Sequence, residues 1–260
     1  MTDLLLTNAV MITVDPQRRI LYNGAMAVSG DRIQAVGDSA ELLRQYPDAK
    51  RIIDCGQKLV FPGFINTHNH LFQTLLKGLG DDMVLKDWLR TMTFPAARFL
   101  EPEDCWGGAM LGILEGIHSG MTTEVDYMYP HARPGLSDGV LRAYRDTKIR
   151  GIFGRGCMDT GEAFGVVPEI MQDQKTVERD LVRIFETYHN TENGRIQVWT
   201  APAALWSNTE SMLRMLYEIS NSYHAGLTVH VSETPFDRAA TQTLHGCCGV
   251  DCGACEARRA

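Results

Sequence analysis

The chain has 260 residues and a formal net charge of −7; 44% of its residues are hydrophobic and 22% are charged. This composition is typical of a globular protein and too apolar for a disordered one. The acidic balance, without a basic block or stripe, excludes the usual nucleic-acid-binding classes. No run of about 18 apolar residues could span a membrane, and the N-terminus lacks the features of a signal peptide. We therefore expect a soluble cytoplasmic protein that binds neither nucleic acid nor membrane.

The first part of the chain, residues 1–57, reads as short strands separated by turns. Residues 4–14 are rich in Leu, Val, Ile and Thr and end at an Asp-Pro turn. Further strands are predicted at 25–28, 32–36 and 51–54, and a short helix at 39–46. These elements predict a small β-rich N-terminal domain, similar to a β-sandwich.

From residue 58 the pattern changes to strands that alternate with helices. The strands are predicted at 59–70, 122–126, 151–154, 196–201 and 226–231. One helix is marked by an apolar face from Val177 to Tyr188, and the next by the capping-box spacing of Ser207 and Glu210. Alternation of this kind indicates an α/β fold with a parallel sheet.

The number of strands limits the architecture of this second part. A closed (β/α) barrel has eight strands and about 250 residues, whereas residues 58–243 offer five candidate strands. We expect a partial TIM-type (β/α) barrel of about five of eight units, with domains at 1–57 and 58–243 and a cysteine-rich tail at 244–260. The exposed edge strand of an unclosed sheet would favour a homo-oligomer.

Three histidines and one glutamate lie at predicted strand ends. His68 and His70 are two residues apart and so point to the same face of their strand, and His230 ends another apolar strand, with Glu233 following it. Parallel α/β folds place their active sites at these carboxyl ends, and converging imidazoles suit a divalent metal such as zinc. From the spacing alone, a polar strand end and a core histidine remain alternatives of about equal weight.

Taken together, these segments resemble the amidohydrolase superfamily. VFPGFINTHNHLFQTLLKG (residues 60–78) is similar to its first barrel strand, and HSGMTTEVD (118–126) and TVHVSET (228–234) resemble the second and fifth. The β-rich start of the chain, with its turn at residues 30–33, is similar to the N-terminal sandwich of that superfamily. Among its branches the chain looks most like the cytosine, guanine and adenosylhomocysteine deaminases and the triazine hydrolases and chlorohydrolases.

The resemblance implies a function and a set of site residues. It makes His68, His70 and His230 metal ligands and Glu233 the catalytic proton shuttle, and it places Gln73 and Trp88 near the substrate, although a surface Gln and a packed Trp are equally good interpretations. The implied reaction is metal-dependent hydrolysis of a carbon–nitrogen, non-peptide bond, or dechlorination, on a small-molecule N-heterocycle such as a purine, pyrimidine or s-triazine. Residues 196–203 contain no lysine to bridge two metals, so one ion is expected, with zinc favoured and iron an alternative.

The resemblance stops at about residue 243. The superfamily pattern continues with a further histidine and a metal-site aspartate, which have no counterpart here, so the alternative is a truncated, inactive amidohydrolase remnant. The tail contains Cys247, Cys248, Cys252 and Cys255. These cysteines fit either a small metal site or a shifted reading frame, and the abrupt change in composition favours the frameshift.

The remaining histidines and cysteines are expected to have structural roles. His118 is predicted to end a helix. Surface positions are expected for His131, His189, His224 and His245, and buried positions for Cys55, Cys105 and Cys157.

Overall fold

The strands of the protein form two separate sheets, one in each of two units, Met1–Gly63 and Phe64–Ala260. The structure is a computed structural model and describes residues 2–246. The four tail cysteines, and with them the predictions made for them, lie outside the described residues.

The first unit contains five strands and one helix, and the second contains four strands and the other helices of the described residues. The strands are β1 (Leu4–Ile12), β2 (Ile20–Ser29), β3 (Arg32–Asp38), β4 (Arg51–Asp54), β5 (Leu59–Val60), β6 (Phe64–Asn69), β7 (Met121–Met128), β8 (Arg150–Cys157) and β9 (Ile196–Pro202). The α-helices are α1 (Ser39–Gln45), α2 (Leu85–Trp88), α3 (Phe94–Ala97), α4 (Pro102–His118), α5 (Leu136–Thr147), α6 (Gln174–Tyr188), α7 (Thr191–Gly194), α8 (Glu210–Ser222) and α9 (Pro235–His245). A π-helical turn (Leu89–Thr93) joins α2 to α3, and 3-10 helices span Leu71–Leu76, Glu162–Phe164, Pro168–Ile170 and Leu205–Ser207.

In the first unit β1 is the central strand of a mixed sheet. The order is β3-β2-β1-β4, and β5 also pairs with β1. Alternate residues of β1 are buried, and Leu5 packs in a small core with Ala25, Ala27 and Leu42. Within residues 2–63 there is one sheet rather than the two that pack together in a sandwich, so the sandwich stays a prediction.

The second unit confirms the α/β fold with a parallel sheet. Its strands run in the order β6-β7-β8-β9, each parallel to its neighbour. The helices between them contribute apolar faces to one large core; in α6 these are the buried Val177, Leu181, Ile184, Phe185 and Tyr188. This architecture brings the carboxyl ends of the four strands to one edge of the sheet.

Two predicted strands differ from the observed ones. The strand predicted at 59–70 is divided into β5 and β6 because Pro62, which has no backbone N–H to donate, lies between them. The fifth strand, predicted at 226–231, makes only two isolated parallel bridges, from Leu227 to Thr200 and from His230 to Ala204. The segment therefore lies alongside β9 without forming a regular ladder with it.

The start of α8 also differs from the prediction. Its N-cap is Thr209, whose hydroxyl accepts a hydrogen bond from the Met212 backbone N–H at 3.3 Å. Ser207 ends the preceding 3-10 helix instead, where its Oγ accepts from the Ala204 N–H at 3.1 Å. The prediction that the helix begins with Ser207 as its cap is therefore wrong by two residues.

The structure places one of the remaining histidines differently from the sequence. His131 is 4% exposed and shares a hydrogen bond of 2.9 Å with the Ser137 hydroxyl of α5, so its predicted surface position is wrong. His118 ends α4 and the three scattered cysteines are buried. Among residues 2–246, no helix combines the length and the apolar character needed to cross a membrane.

Candidate metal centre

Three imidazoles converge at the carboxyl edge of the parallel sheet. His68 lies in β6, and His70 directly follows that strand. His230 lies in the segment 226–231, after α8 in the chain, and makes a parallel bridge to Ala204. One ring nitrogen from each lies within 4.8 Å of the others. The ring centroids are separated by 4.9 Å (His68–His70), 5.0 Å (His68–His230) and 5.1 Å (His70–His230). The structure thus brings together all three residues that the sequence put forward as ligands.

Backbone carbonyl groups fix the tautomers of two of these histidines. The Nδ1 atoms of His70 and His230 lie 2.6 Å from the carbonyl oxygens of Tyr127 and Ala203, respectively. Because a carbonyl oxygen can only accept, each Nδ1 carries the proton and donates it, and each Nε2 is left with its lone pair free. Histidines that ligate metals in proteins commonly have such a partner for the second ring nitrogen.

The electrostatic surroundings keep the three rings neutral. Burial lowers the pKa of His70 to about 3 and also lowers the pKa values of His68 and His230. The His230 ring lowers the pKa of His68 further. A neutral imidazole is the form that binds a metal ion. Three neutral imidazoles with oriented lone pairs therefore fit a divalent ion of the zinc or iron type, with an open coordination position.

The imidazoles open into a cavity of about 310 Å³ within the second unit. It is lined by His68, His70, Gln73, Leu85, Trp88, Leu89, Phe94, Tyr129, Met158, Ala203, Ala204, Trp206, Ser207, His230, Glu233 and Asp237. Glu233, Gln73 and Trp88 thus share one cavity with the histidines. The Gln73 amide is held in place because its Nε2 donates to the Tyr129 hydroxyl at 2.8 Å. The cavity combines an apolar wall with a few polar groups, as is common in small-molecule sites.

The surroundings of Glu233 shift its pKa upward. Partial burial of its carboxylate raises the pKa, and the charge of Asp237 raises it further, while His68 lowers it. Carboxylates that act as general acids and bases commonly have raised pKa values. The direction of the shift thus matches that of a proton carrier.

The residues of the cavity to which the sequence did not point include Tyr129, Trp206 and Asp237. Tyr129 follows β7, Trp206 follows β9, and Asp237 lies in the first turn of α9. The Asp237 carboxylate accepts from Trp206 Nε1 at 2.8 Å and so fixes the indole ring in the cavity wall. The signal that could have found Tyr129 and Trp206 is their position just past a strand end, which is the same signal that pointed to His70 and His230.

The profile of the amidohydrolase family matches residues 59–255, which is more than half of the chain. The chain therefore belongs to the amidohydrolase family. A second profile, for the imidazolonepropionase-like composite domain of bacteria, matches residues 24–49.

Curated relatives include deaminases of adenosine-type compounds. The 5-methylthioadenosine/S-adenosylhomocysteine deaminase of Thermoanaerobacter pseudethanolicus is 31% identical over 246 residues, which cover 94% of this chain and 52% of the relative. The 5'-deoxyadenosine deaminase of Methanobrevibacter smithii is 31% identical over 212 residues, which cover 81% of this chain and 44% of the relative. The chain thus spans about half the length of these relatives.

Solved structures show the same fold. Atrazine chlorohydrolase TrzN from Arthrobacter aurescens TC1, complexed with zinc, superposes with a TM-score of 0.83 at 23% identity over 94% of this chain and 56% of that one. Guanine deaminase of E. coli superposes with a TM-score of 0.78 at 20% identity over 93% of this chain and 56% of that one. At these identities the likeness concerns the fold.

Proposed function

We propose that this protein is a metal-dependent hydrolase that removes an amino or chloro group from a small N-heterocycle. In this proposal His68, His70 and His230 hold one divalent ion, preferably zinc. The observation that carries this proposal is the fixed tautomer of His70 and His230 beside Glu233 in one cavity. A packing role for the two imidazoles would not require both Nε2 lone pairs to be left free beside a third imidazole.

The metal and the protein would contribute different parts of the chemistry. A bound divalent ion supplies the Lewis acidity that makes a water molecule nucleophilic near neutral pH. The carbonyl groups of Tyr127 and Ala203 hold His70 and His230 as neutral ligands, so the chain contributes no negative charge through its ligands. A site of this kind keeps most of the charge of the ion available for the water.

Glu233 would move the proton. When water adds to the ring carbon that carries the leaving group, Glu233 accepts one proton from that water and donates it to the neighbouring ring nitrogen. Collapse of the tetrahedral carbon then breaks the bond to the leaving group, and the hydroxyl oxygen stays on the ring as a carbonyl. When nitrogen leaves, Glu233 passes the hydroxyl proton to it, so that ammonia or an amine is released; when chlorine leaves, it departs as chloride and the hydroxyl proton goes to solvent. The raised pKa of Glu233 suits a group that must both accept and donate a proton during turnover.

The cavity wall favours a flat heterocyclic ring as the substrate. Trp88, Trp206 and Phe94 supply aromatic surface, and the oriented amide of Gln73 supplies a polar contact on the same wall. Aromatic side chains pack well on a flat ring, and a single fixed amide can select its hydrogen-bonding edge. The activities for which the relatives are named, deamination of adenosine-type compounds, belong to the same chemical class.

We also propose that β6–β9 and the segment 226–231 are five units of a TIM-type (β/α) barrel, in a cytoplasmic protein that forms a homo-oligomer. The competing proposal is a protein of this family that does not turn over such a substrate. Turnover decides between the two, because the site described above would be present in both.

The test is turnover by the zinc-loaded full chain. The substrates are 5'-deoxyadenosine, guanine and a chloro-s-triazine, with release of ammonia or chloride as the readout. We expect turnover of at least one substrate and a loss of about 10²–10⁴-fold on Glu233→Gln, which removes the proton carrier but none of the metal ligands. The exposed Glu218 on α8 provides the matched control, Glu218→Gln, with unchanged turnover. A folded chain with one equivalent of zinc and no release from any substrate would contradict the proposed activity.

A further inference from the structure

β6 is irregular at the point where it carries the candidate ligands. Asn66 pairs with Glu124 of β7 and Asn69 pairs with Asp126, so three steps along β6 match two steps along β7. The additional residue forms a bulge at Thr67 and His68. Bulges near functional sites re-aim side chains, but they also interrupt the ladder that would otherwise hold the strand.

Glu124 holds both sides of this bulge. Its Oε1 atom accepts hydrogen bonds from the side-chain amides of Asn66, at 3.4 Å, and Asn69. Each asparagine then uses its own oxygen to hold a ligand: Asn66 Oδ1 accepts from the backbone N–H of His68 at 3.3 Å, and Asn69 Oδ1 accepts from that of His70 at 2.8 Å. One carboxylate oxygen is thus linked through two matching bridges to the backbone of two imidazoles.

The placement of Glu124 is costly if its role is only to fill space. The residue is fully buried, and its second oxygen, Oε2, has no hydrogen-bond partner. A buried carboxylate with an unpartnered oxygen destabilises the fold relative to an apolar residue of similar size. Such a cost is expected where the group serves a functional geometry.

Two further residues of β7, the strand of Glu124, hold the other side of His70. Asp126 Oδ1 accepts from the backbone N–H of Leu71 at 2.7 Å, directly after His70, and Tyr127 accepts from the His70 ring. His70 lies beyond the last residue of β6 and is therefore outside the ladder. Its position depends on these contacts from β7.

We propose that Glu124 is a positioning residue for the metal centre, which sets the distance between His68 and His70 through the bridges of Asn66 and Asn69. This inference rests on the proposed function, because it assigns Glu124 to the same metal site. Glu124 contacts neither the ring nitrogens nor the cavity, so its effect must pass through the backbone of the ligands.

The experiment measures the zinc Kd of the full chain by competition with a chelator, together with the denaturant stability of the metal-free chain. We expect Glu124→Leu, which removes the acceptor, to raise the Kd by about 10–100-fold, the range for residues that orient metal ligands. Glu124→Gln keeps an acceptor oxygen and should restore affinity to within about tenfold of the original. The metal-free Glu124→Leu chain should keep a cooperative unfolding transition, since removal of the buried carboxylate with its unpartnered Oε2 offsets the loss of the two hydrogen bonds from Asn66 and Asn69.

Asp180→Ala on α6 is the matched control, because it removes a carboxylate partner of the buried Arg155 away from the site. We expect it to lower stability and leave the zinc Kd unchanged. A Glu124→Leu chain that folds and binds zinc with an unchanged Kd would overturn the inference. If that variant does not fold, the half-buried bridges are tested instead: Asn66→Ala and Asn69→Ala should each raise the Kd, and two unchanged values would overturn it.

The same data separate this inference from the proposed function. If the unmodified chain binds no zinc, or if His70→Ala leaves zinc binding intact, the metal site itself is wrong. If His70→Ala removes zinc binding and Glu124→Leu does not alter it, the site stands and only the positioning role fails.

Discussion

At the scale of single residues, the chemistry of the site depends on which histidines are neutral and which nitrogen carries the proton. His70 and His230 obtain both properties from burial and from a carbonyl oxygen at 2.6 Å. His118 is a useful contrast, because it lies at the exposed end of α4, outside the cavity. Residue type alone does not separate these histidines, but their surroundings do.

This contrast leads to a prediction about metal content. His70→Ala removes one of the three proposed ligands and should lower zinc affinity by more than the 10–100-fold typical of residues that only orient a ligand. His118→Ala should leave affinity and content unchanged. The measurement is elemental analysis after dialysis against buffered zinc, with about one equivalent expected for the unmodified chain. Equal zinc content in the two variants would contradict the assignment of His70.

At the scale of elements, a buried ion pair ties β8 to the helix that covers it. The Arg155 side chain is 1% exposed, and it donates to Asp180 of α6 from Nε at 3.1 Å and from Nη2 at 2.8 Å. Its Nη1 donates to the Gly156 carbonyl at 2.8 Å. Each of the three guanidinium nitrogens thus donates a hydrogen bond, as a buried charge requires.

Removal of the carboxylate should therefore destabilise the second unit. Asp180→Ala leaves Arg155 buried without its counter-charge, and we expect a loss of about 3–5 kcal/mol in the free energy of unfolding. Glu210→Gln breaks an exposed pair with Arg214 on α8 and should cost less than about 1 kcal/mol. Urea unfolding of both variants checks the difference. Similar midpoints for the two would show that the Arg155 pair contributes little.

The elements also show how much of the fold and of the candidate site could be predicted from the sequence. The convergence of His68, His70 and His230 could be predicted because strand ends of a parallel sheet share one edge, which local periodicity reveals. The bulge in β6 and the bridges of Asn66 and Asn69 could not, because they depend on Glu124, more than 50 residues away along the chain. The burial of His131 likewise depends on α5, and the start of α8 on the contact of Asp159 with Thr209 at 2.8 Å.

At the scale of the whole molecule, the buried acids and histidines of the second unit set the pH dependence of folding. Burial, together with the charge of Glu124 on the same strand, raises the pKa of Asp126 to about 8. Cys105 of α4 and Tyr144 of α5 also face Asp126, but burial raises their pKa values, to about 12 for Cys105 and well above 10 for Tyr144, so both stay neutral below pH 8. Burial lowers the pKa values of His70 and His131 below the ordinary 6.5.

These directions predict a maximum of stability near pH 7 for the metal-free chain. Below this pH the histidines whose pKa values are lowered by burial bind protons mainly in the unfolded state, so acid lowers the free energy of unfolding. Above about pH 7.5, a full unit beyond the ordinary histidine pKa of 6.5, the histidines are almost entirely neutral in both states, whereas Asp126 keeps its proton mainly in the folded one. The free energy of unfolding should then fall as the pH rises toward 8, by up to about 1.4 kcal/mol per pH unit.

The Asp126→Asn variant isolates the alkaline side of this profile. Asparagine keeps an oxygen that can accept from the Leu71 N–H but has no proton to lose. We expect the stability of this variant, measured by urea unfolding, to level off above about pH 7.5 instead of falling, and to fall below pH 7 as in the unmodified chain, since the histidines are still present. An unmodified chain whose stability is constant or rises between about pH 7.5 and 8 would show that Asp126 is already ionised in the folded state. Ionised Asp126 would require a counter-charge beside Oδ2, an atom without a hydrogen-bond partner among the described residues.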